Sequence, residues 1–320
     1  MYDVVALGEL LIDFTTQSID SDGYPTMAAH PGGAPANFLA AIAKFGGKAG
    51  MLGKVGTDTF GKLLTNTLRG AGIETKGLVA ADDVFTTLAF VTLDANGDRE
   101  FAFARKPGAD TQLRFDELDL SLIDETRVFH FGTLSLTGEP ARTTTYRAVA
   151  YAKAHGKFVT YDPNLRKPLW NDLNEAKEQM LWGLRQADVV KISDEEVEFL
   201  FGLGVQDGAQ YILDHYPVKL VFVTCGADGC LFQNCSASGH VDSLKDIKVV
   251  DTTGAGDIFG GTAMSKVLDS GKNPEDLTAA ELAEICEFAN AMAGLSTTKN
   301  GAIPSIPKPE EAYALMQQKN

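Results

Sequence analysis

Short apolar runs alternate with helix-like segments along most of the chain. Apolar runs of four or five residues occur at Val4–Leu7, Ala49–Gly53, Val128–Phe131, Phe158–Tyr161, Val189–Ile192 and Leu220–Thr224. Helix-like segments lie between or after them, at Asn37–Phe45, Phe60–Ala71, Ala141–His155, Glu175–Gln186 and Leu282–Ser296. Because short apolar runs are typical of strands buried on both faces, the alternation predicts right-handed β-α-β units. We expect a doubly wound α/β fold of three layers, with helices on both faces of a mainly parallel central sheet.

Two parts of the chain interrupt this alternation. Strand-like segments without an intervening helix lie at about Phe14–His30 and Val84–Arg105, and Asp94–Gly97 is typical of a hairpin turn. We therefore predict that residues 14–30 and 84–106 form a small β lid. The lid is inserted in a core of residues 1–13, 31–83 and 107–320. A plain edge hairpin without a function is the alternative.

Length and charge limit the class of protein. A chain of 320 residues, 44% of them hydrophobic, can bury a large core, which favours one large domain with an insertion. No apolar run approaches the roughly 20 residues of a membrane span, and no basic segment followed by an apolar stretch begins the chain. We expect a cytoplasmic protein with no membrane partner. The net charge of −15 argues against nucleic-acid binding and means that a bound anion needs local positive groups.

The cysteines indicate neither a metal centre nor a disulfide framework. The chain has four, and Cys225, Cys230 and Cys235 are spaced five residues apart. This spacing fits neither a CxxC pair nor a zinc finger. We interpret them as reduced structural thiols.

The glycine-rich segment 248–261, KVVDTTGAGDIFGG, is the strongest chemical motif in the chain. Gly254 and Gly256 would expose backbone N–H groups to an anion where a helix begins, yet Asp257 adds a negative charge there. The conflict is resolved if Asp257 accepts a proton from a hydroxyl while the amides hold the phosphoryl group that the hydroxyl attacks. This pattern predicts kinase chemistry.

Two other nucleotide motifs fit less well. Gly56–Leu63 nearly matches a Walker loop, but Leu63 replaces the hydroxyl that would bind Mg²⁺ and Asp58 adds negative charge. The segment Gly254–Gly260, after a predicted strand at Ile247–Val250, loosely matches a dinucleotide fingerprint. Its spacing is one residue too long, and it lies near the C-terminal end of the chain. We therefore favour the anion hole with a catalytic base.

Several segments together resemble the ribokinase-like carbohydrate kinases of the phosphofructokinase-B family, and within it the bacterial fructokinases. Asp251–Asp257 matches the C-terminal signature, and Gly32–Asn37 followed by Gly46 and Gly47 matches the N-terminal one. Further matches, in the family's order, are Gly8–Phe14, Phe103–Asp110, Asp162–Arg166, Ser193–Glu196, Thr224–Gly229 and Asn290–Ser305. The resemblance covers nearly the whole chain and implies a ribokinase-like fold, cytoplasmic location and phosphoryl transfer from ATP to a small sugar.

The resemblance implies a sugar site built from both predicted parts of the chain. Its expected residues are Asp13, Gly32, Gly33, Asn37, Phe103, Arg105, Asn164, Arg166 and Asp257. Asp13, which we expect at the end of the first strand, can accept bonds from two sugar hydroxyls. Arg105 and Arg166 match positions that resemble ligand contacts in fructokinases and sugar-acid kinases. Asp162 is expected to orient the loop instead.

For ATP, the resemblance implies contacts from Lys191, Ser193, Thr224, Gly226, Gly229, Gly254, Gly256 and Asn290. The small residues after a strand would let the backbone approach the nucleotide, although Gly226–Gly229 would also form a tight β-turn. The family's Asn-x-x-Glu motif is Ser193–Glu196 here. We expect Glu196 to hold Mg²⁺ through water, and the change to serine puts Ser193 in doubt.

Many relatives also hold a monovalent cation beside the anion hole. By position, its ligands here would be Asp251, Thr253, Ser296, Lys299, Gly301 and Ser305. Oxygen ligands suit a hard cation such as K⁺, but a hydrogen-bonded turn explains the same residues.

The implied mechanism uses Mg-ATP and Asp257 as the general base. The amides of Gly254, Ala255 and Gly256 would stabilise the phosphoryl oxygens, with Mg²⁺ and Arg166 offsetting the remaining charge. The favoured substrate is D-fructose, phosphorylated at its primary hydroxyl. The alternative is 2-keto-3-deoxygluconate, whose carboxylate Arg105 could pair. A non-catalytic sugar-binding regulator is the hypothesis from another class, and relatives suggest a homodimer through the lid.

Overall fold

The computed structural model describes residues 1–93, 99–245 and 247–317 and contains two sheets within them. The predicted turn Asp94–Gly97 lies outside the described residues. The strands are β1 (Tyr2–Leu7), β2 (Leu11–Ile19), β3 (Pro25–Gly32), β4 (Ala49–Gly56), β5 (Leu78–Ala81), β6 (Leu88–Leu93), β7 (Arg99–Ala104), β8 (Thr126–Gly132), β9 (Phe158–Asp162), β10 (Val189–Ser193), β11 (Leu220–Thr224), β12 (Cys230–Asn234) and β13 (Ser238–Val241).

The helices fall between and after these strands. They are α1 (Ala34–Lys44), α2 (Thr59–Gly70), α3 (Leu120–Asp124), α4 (Ala141–Ala154), α5 (Leu173–Leu184), α6 (Asp194–Phe201), α7 (Val205–His215), α8 (Ala255–Asp269), α9 (Ala279–Ser296) and α10 (Pro309–Gln317). None of the described helices is both long and apolar enough to cross a bilayer.

The large sheet has the strand order β13-β12-β11-β10-β9-β8-β1-β4-β5 over the described residues. The strands from β11 to β5 run parallel, and only β12 and β13 pair antiparallel at one edge. All six predicted core strands are present in it. The carboxyl ends of its parallel strands therefore share one edge, where α/β proteins bind ligands.

Alternate residues of each strand supply two apolar cores. On β1, Val4 and Ala6 pack into one core with α1, α8 and α9, while Val5 and Leu7 pack into the other with α4 and α5. Because successive strand residues point to opposite faces, a sheet that is apolar on both faces must be covered twice. The prediction of a three-layer α/β/α fold is confirmed.

The small sheet has the order β3-β2-β6-β7 within the described residues. Phe14 on one of its faces stacks on Phe90 at 5.3 Å between ring centroids and meets Phe60 of α2 edge to face at 5.5 Å. Asp13 lies on the opposite face because neighbouring residues alternate. The aromatic contacts thus fix which face of the small sheet is left for Asp13.

The structure corrects two strand predictions. Strand β1 ends at Leu7, so Asp13 is the third residue of β2 in the small sheet and does not end the first strand. Close packing separates the two strands, because a Cβ on Gly8 would lie 2.6 Å from Pro35 Cγ. Residues 247–250 form no strand among the described residues, and Val249 and Val250 are exposed. Three apolar residues alone were too weak a pattern for a buried strand.

The Walker-like segment has a structural explanation. The Asp58 carboxylate caps α2 by accepting the N–H groups of Phe60 at 2.8 Å and Gly61 at 3.0 Å. This carboxylate therefore occupies the helix N-terminus that a phosphate would need. The four cysteines carry free thiols, of which Cys230 and Cys286 are buried.

Candidate active site

The N-terminus of α8 forms the centre of the candidate site. Gly254 precedes the helix with a φ of 77°, in the left-handed region, and a Cβ there would lie 2.4 Å from Ala302 Cβ. Glycine is needed on both grounds. The N–H of Ala255 donates to the Thr252 carbonyl at 3.2 Å. Gly256 and Asp257, which also start the helix, have no carbonyl four residues back within it and line the cleft.

Asp257 is buried and held by two asparagines from separate elements. Its Oδ2 accepts the Asn37 amide at 2.8 Å, and its Oδ1 accepts the Asn164 amide at 3.1 Å. Burial raises the pKa of Asp257 above its ordinary value, although Lys191, Asn37 and Arg166 lower it. Asn164 has a φ of 47°, a strained conformation for a residue with a side chain. The structure thus brings Asp257, Asn37 and Asn164 together with one carboxylate in a fixed orientation.

A partly buried lysine and two further carboxylates lie behind this helix start. Lys191 Nζ lies 3.1 Å from Asp162 Oδ2, and a Cβ on Gly256 would lie 3.0 Å from the same Nζ. Burial raises the pKa values of Asp162 and Glu196, and Lys191 opposes both shifts. Asp162 therefore anchors Lys191 against the helix start, which is more specific than the loop orientation expected for it.

Ser193 and Glu196 cap α6 reciprocally. Ser193 Oγ accepts the Glu196 N–H at 3.2 Å, and Glu196 Oε2 accepts the Ser193 N–H at 2.9 Å. Glu196 Oε1 accepts the Leu165 N–H at 2.7 Å. Serine can cap a helix as asparagine does, which accounts for Ser193 in this motif. Each Glu196 oxygen keeps lone-pair capacity, so the carboxylate fits a water-mediated contact with a cation.

The sugar-side residues meet where the small sheet joins the core. Asp13 Oδ2 would lie 2.3 Å from a Cβ on Gly32, and Gly33, with a φ of 114°, lies against the Glu9 backbone. Burial raises the pKa of Asp13 to about 7, with Arg166 lowering it and Asp257 raising it. Asp13, Gly32 and Gly33 thus adjoin α1, which carries Asn37. Phe103 lies on the same face of the small sheet as Asp13 by strand register.

The two candidate arginines occupy different environments. Arg166 is exposed, lines the cleft and lowers the pKa values of Asp13 and Asp257 by its charge. Arg105 is 8% exposed, and all three of its side-chain nitrogens already donate to Asp110, Thr137 Oγ1 or the Leu134 carbonyl. The structure therefore brings Arg166 to the site and places Arg105 in a buried ion pair instead of the expected ligand position.

The expected nucleotide residues share one cleft. It has a volume of about 730 Å³ and is lined by Lys191, Ser193, Glu196, Thr224, Gly226, Gly229, Asn290 and the start of α8, as well as Asn164 and Arg166. Gly229, with a φ of 96°, would place a Cβ 2.0 Å from the Val241 carbonyl. The Asn290 amide donates to the carbonyls of Val241 at 3.1 Å and Asp242 at 3.3 Å. Asn290 therefore shapes the cleft wall by holding the end of β13.

The candidate cation ligands form a hydrogen-bonded loop. Asp251 Oδ1 accepts the N–H of Thr253 at 2.9 Å and its hydroxyl at 2.7 Å, and Asp251 Oδ2 accepts the Gly301 N–H at 2.9 Å. The hydroxyls of Ser296 and Ser305 donate to backbone carbonyls three residues earlier. Lys299 is exposed at the turn. No cluster of three or more His, Cys, Asp or Glu side chains that could hold a metal occurs among the described residues.

Sequence reasoning missed Glu9. Its side chain is buried, and Oε1 accepts the Ala34 N–H at 2.8 Å at the start of α1. Burial, with a smaller contribution from Asp110, raises the pKa of Glu9 to about 7. The indication in the sequence was an acidic residue directly after an apolar strand, Gly8-Glu9, but no local pattern shows that α1 lies beside it.

Comparisons with known proteins agree with this geometry. Residues 1–309 match the pfkB family of carbohydrate kinases. The chain is 43% identical over 319 residues to fructokinase-1 of Zea mays, covering 98% of both chains. A structure of fructokinase with bound ATP from Xylella fastidiosa superposes with a TM-score of 0.90 at 29% identity, covering 100% of this chain and 99% of that one.

A second solved structure bears on ligands. Fructokinase of Vibrio cholerae O395, in a form with fructose, ADP and calcium ion bound, has a TM-score of 0.85 at 32% identity and covers 98% of both chains. The predicted ribokinase-like fold is confirmed by these full-length matches.

Proposed function

Because this chain belongs to the pfkB family of carbohydrate kinases, we propose that it transfers a phosphoryl group from ATP to the primary hydroxyl of D-fructose, giving fructose 6-phosphate. The observation that carries the proposal is Asp257, held by Asn37 and Asn164 at the helix start that lines the cleft. Full-length similarity to fructokinases from a plant and from bacteria supports fructose as the sugar.

Asp257 is the general base of the proposed reaction. The two asparagine amides leave each carboxylate oxygen with lone-pair capacity, so one oxygen can accept the proton of the attacking hydroxyl. The pKa of Asp257 is raised towards neutral pH, and a general base is most effective when its pKa lies near the working pH. The N–H groups of Gly256 and Asp257, with Gly254 shaping the turn, face the phosphoryl group at the positive end of α8. Ala255 contributes less through its own N–H, which the Thr252 carbonyl holds.

Two cationic side chains, Lys191 and Arg166, offset negative charge in different parts of the site. Lys191 is partly buried beside the helix start and offsets the carboxylates there, while exposed Arg166 can reach the transferred phosphoryl group. Mg²⁺, when bound, would offset the negative charge of the ATP phosphates. Glu196, with lone pairs left on both oxygens, would hold it through water.

The small sheet serves as a cover over the sugar. Asp13 and Gly32 contact sugar hydroxyls from this sheet, Gly33 does so from the start of α1, and Phe103 covers the same face as Asp13. A cover of this kind reduces transfer of the phosphoryl group to water. In this proposal, the described parts of residues 14–30 and 84–106 move largely as one unit relative to the rest of the chain.

The sugar-acid alternative loses its main support. Pairing with a substrate carboxylate required Arg105, but Asp110 already holds that guanidinium at 2.7 Å in a buried pair. The sugar side presents Asp13 and Asp257, which favour neutral hydroxyls over a second carboxylate. A non-catalytic regulator would have no use for the complete base and helix start.

Three further predictions accompany the proposal. We expect a cytoplasmic enzyme, a homodimer formed through the small sheet, and activation by K⁺ at Asp251, Thr253, Ser296, Lys299, Gly301 and Ser305. The carboxylate and carbonyl oxygens of that loop support the cation prediction.

A panel of substrates tests the function. ADP release by the purified protein would be measured with Mg-ATP and, side by side, D-fructose, 2-keto-3-deoxygluconate and D-ribose. We expect fructose to give the highest kcat/KM, with phosphate on its primary hydroxyl by NMR. Sugar binding without ADP release would support the hypothesis of a non-catalytic regulator. A higher kcat/KM for 2-keto-3-deoxygluconate would show that the sugar acid, and not fructose, is the substrate.

A further inference from the structure

Strands β6 and β7 of the small sheet each join the core at one end, which we call the root of the strand. Both roots contact one carboxylate, that of Asp110. Strand β6 begins directly after Thr87, and β7 ends directly before Arg105. The Thr87 hydroxyl donates to Asp110 Oδ1, and Arg105 Nε donates to Asp110 Oδ2 at 2.9 Å. Asp110 itself belongs to a single 3₁₀ turn, Ala109–Gln112, outside the small sheet. One side chain therefore joins both strand roots to the core.

Arg105 extends this connection further into the core. Its Nη1 donates to Thr137 Oγ1 at 2.8 Å and its Nη2 to the Leu134 carbonyl at 2.8 Å, in the segment after β8. The Thr87 carbonyl accepts the N–H of Ile12 at 3.1 Å, which brings in the strand that carries Asp13. Three strands of the small sheet thus meet at this cluster.

The cluster is buried and closely packed. Thr87, Asp110 and Arg105 are 1%, 4% and 8% exposed. A Cβ on Gly108 would lie 1.8 Å from Thr87 Oγ1. Buried charge-assisted hydrogen bonds have narrow geometric tolerance, so they fix the groups that they join. The three side chains bond to one another and to the core, and none of them lines the nucleotide cleft, so the cluster has a structural contact to make without a ligand.

We propose that Asp110 is a positioning residue that ties together the roots of β6 and β7, through Thr87 and Arg105, and so sets how closely the small sheet covers the sugar. The inference rests on the proposed function for its effect on the reaction. Its physical basis is that a sheet anchored at one end moves as far as its anchor allows. A looser anchor admits water to the phosphoryl group and weakens the contact of Asp13 with the sugar.

Thr87 offers the cleanest test, because changing it leaves the Arg105–Asp110 pair intact. Thr87→Val removes the hydroxyl and keeps the volume, Thr87→Ser restores the hydroxyl, and Thr87→Ala serves if the valine variant does not fold. Thr126→Val is the matched control, since Thr126 is equally buried and its hydroxyl donates only to the Val128 carbonyl, remote from the small sheet.

Three measurements separate positioning from general stability. They are KM and kcat for fructose, the rate of ADP release without sugar relative to the rate with it, and amide hydrogen exchange of β2, β3, β6 and β7. For Thr87→Val we expect KM for fructose and the relative sugar-independent rate to rise at least about fivefold, with faster exchange in these strands. Thr87→Ser and Thr126→Val should match the wild type on all three.

The outcomes distinguish this inference from the proposed function. If Thr87→Val lowers thermal stability but leaves KM, the sugar-independent rate and exchange of the small sheet unchanged, Asp110 is only structural and the inference is overturned. If the wild type does not phosphorylate fructose, the proposed function fails, and hydrogen exchange alone then decides whether Asp110 anchors the sheet.

Discussion

Two charged clusters in the interior of the described part of the chain have opposite designs. At the root of the small sheet, Asp110 is matched by Arg105 and by the Thr87 hydroxyl. Behind the start of α8, three buried carboxylates share one partly buried cation, Lys191. The carboxylates of this second cluster are Asp162, Glu196 and Asp257.

The difference shows which cluster is built for a ligand. A buried acid with its own arginine and hydrogen bonds is satisfied without any other molecule. Burial, and to a smaller extent mutual repulsion, raises the pKa values of these carboxylates, which is typical of sites that act on protons and charged ligands. We infer that stability resides in the first cluster and reactivity in the second.

Asp257→Asn is expected to have the largest effect. Loss of the base should lower kcat for fructose by about 10²- to 10⁴-fold. KM should change far less, because Asp13 and Asn37 still hold the sugar. The measurement is steady-state ADP release, with thermal unfolding as the control for folding. Turnover near that of the wild type would refute the assignment of the base.

Two single variants, Arg105→Met and Arg166→Met, test the comparison of the two clusters directly. Arg105→Met strands Asp110 as a buried charge, so we expect a loss of about 3–5 kcal/mol in the free energy of unfolding. Arg166→Met changes an exposed side chain, and its unfolding free energy should stay within about 0.5 kcal/mol of the wild type.

Activity should rank these two variants in the other order. At a temperature where both are folded, Arg166→Met should lose about tenfold or more in kcat/KM, because charge beside the phosphoryl group is lost. Urea unfolding and ADP-release assays on the same samples check both halves. Equal stability losses for the two variants would contradict the separation of roles.

Glu9→Gln tests the cost of an unmatched buried acid on a smaller scale. The pKa of Glu9 is raised from 4.5 to about 7 by burial, so above pH 4.5 the unfolded chain loses this proton while the folded protein retains it. The wild type therefore loses stability as pH rises from about 4.5 to about 7. The full effect is at most about 3–4 kcal/mol, since one pKa unit corresponds to about 1.4 kcal/mol.

Glutamine keeps the acceptor for the Ala34 N–H but cannot ionise. We expect Glu9→Gln to equal the wild type near pH 4.5 and to be more stable at pH 8, by urea unfolding at both values. Glu117→Gln, a half-buried acid paired with Lys54, provides the matched control. A stability difference that does not grow with pH would show that Glu9 stays charged in the folded protein.

Much of the fold follows from local pattern. The six apolar runs became the parallel strands because each is long enough to cross the sheet and apolar on both faces, as for Val4–Leu7. The helix start before Asp257 was also predictable, since the glycines and the acid lie within four residues of each other. The Ser193–Glu196 capping box could have been recognised from its spacing alone.

The remaining site depended on contacts between distant parts of the chain. Asn37 and Asp257 are 220 positions apart in the sequence but are hydrogen-bonded in the fold. Arg105 matches a ligand position in the sequence, but in the folded protein its guanidinium donates to Asp110 and Thr137. A motif spans only a few residues, so the sequence alone identifies which groups are chemically able to react. Which acid is paired, and which is left to react, is decided by burial and by partners that only the tertiary structure supplies.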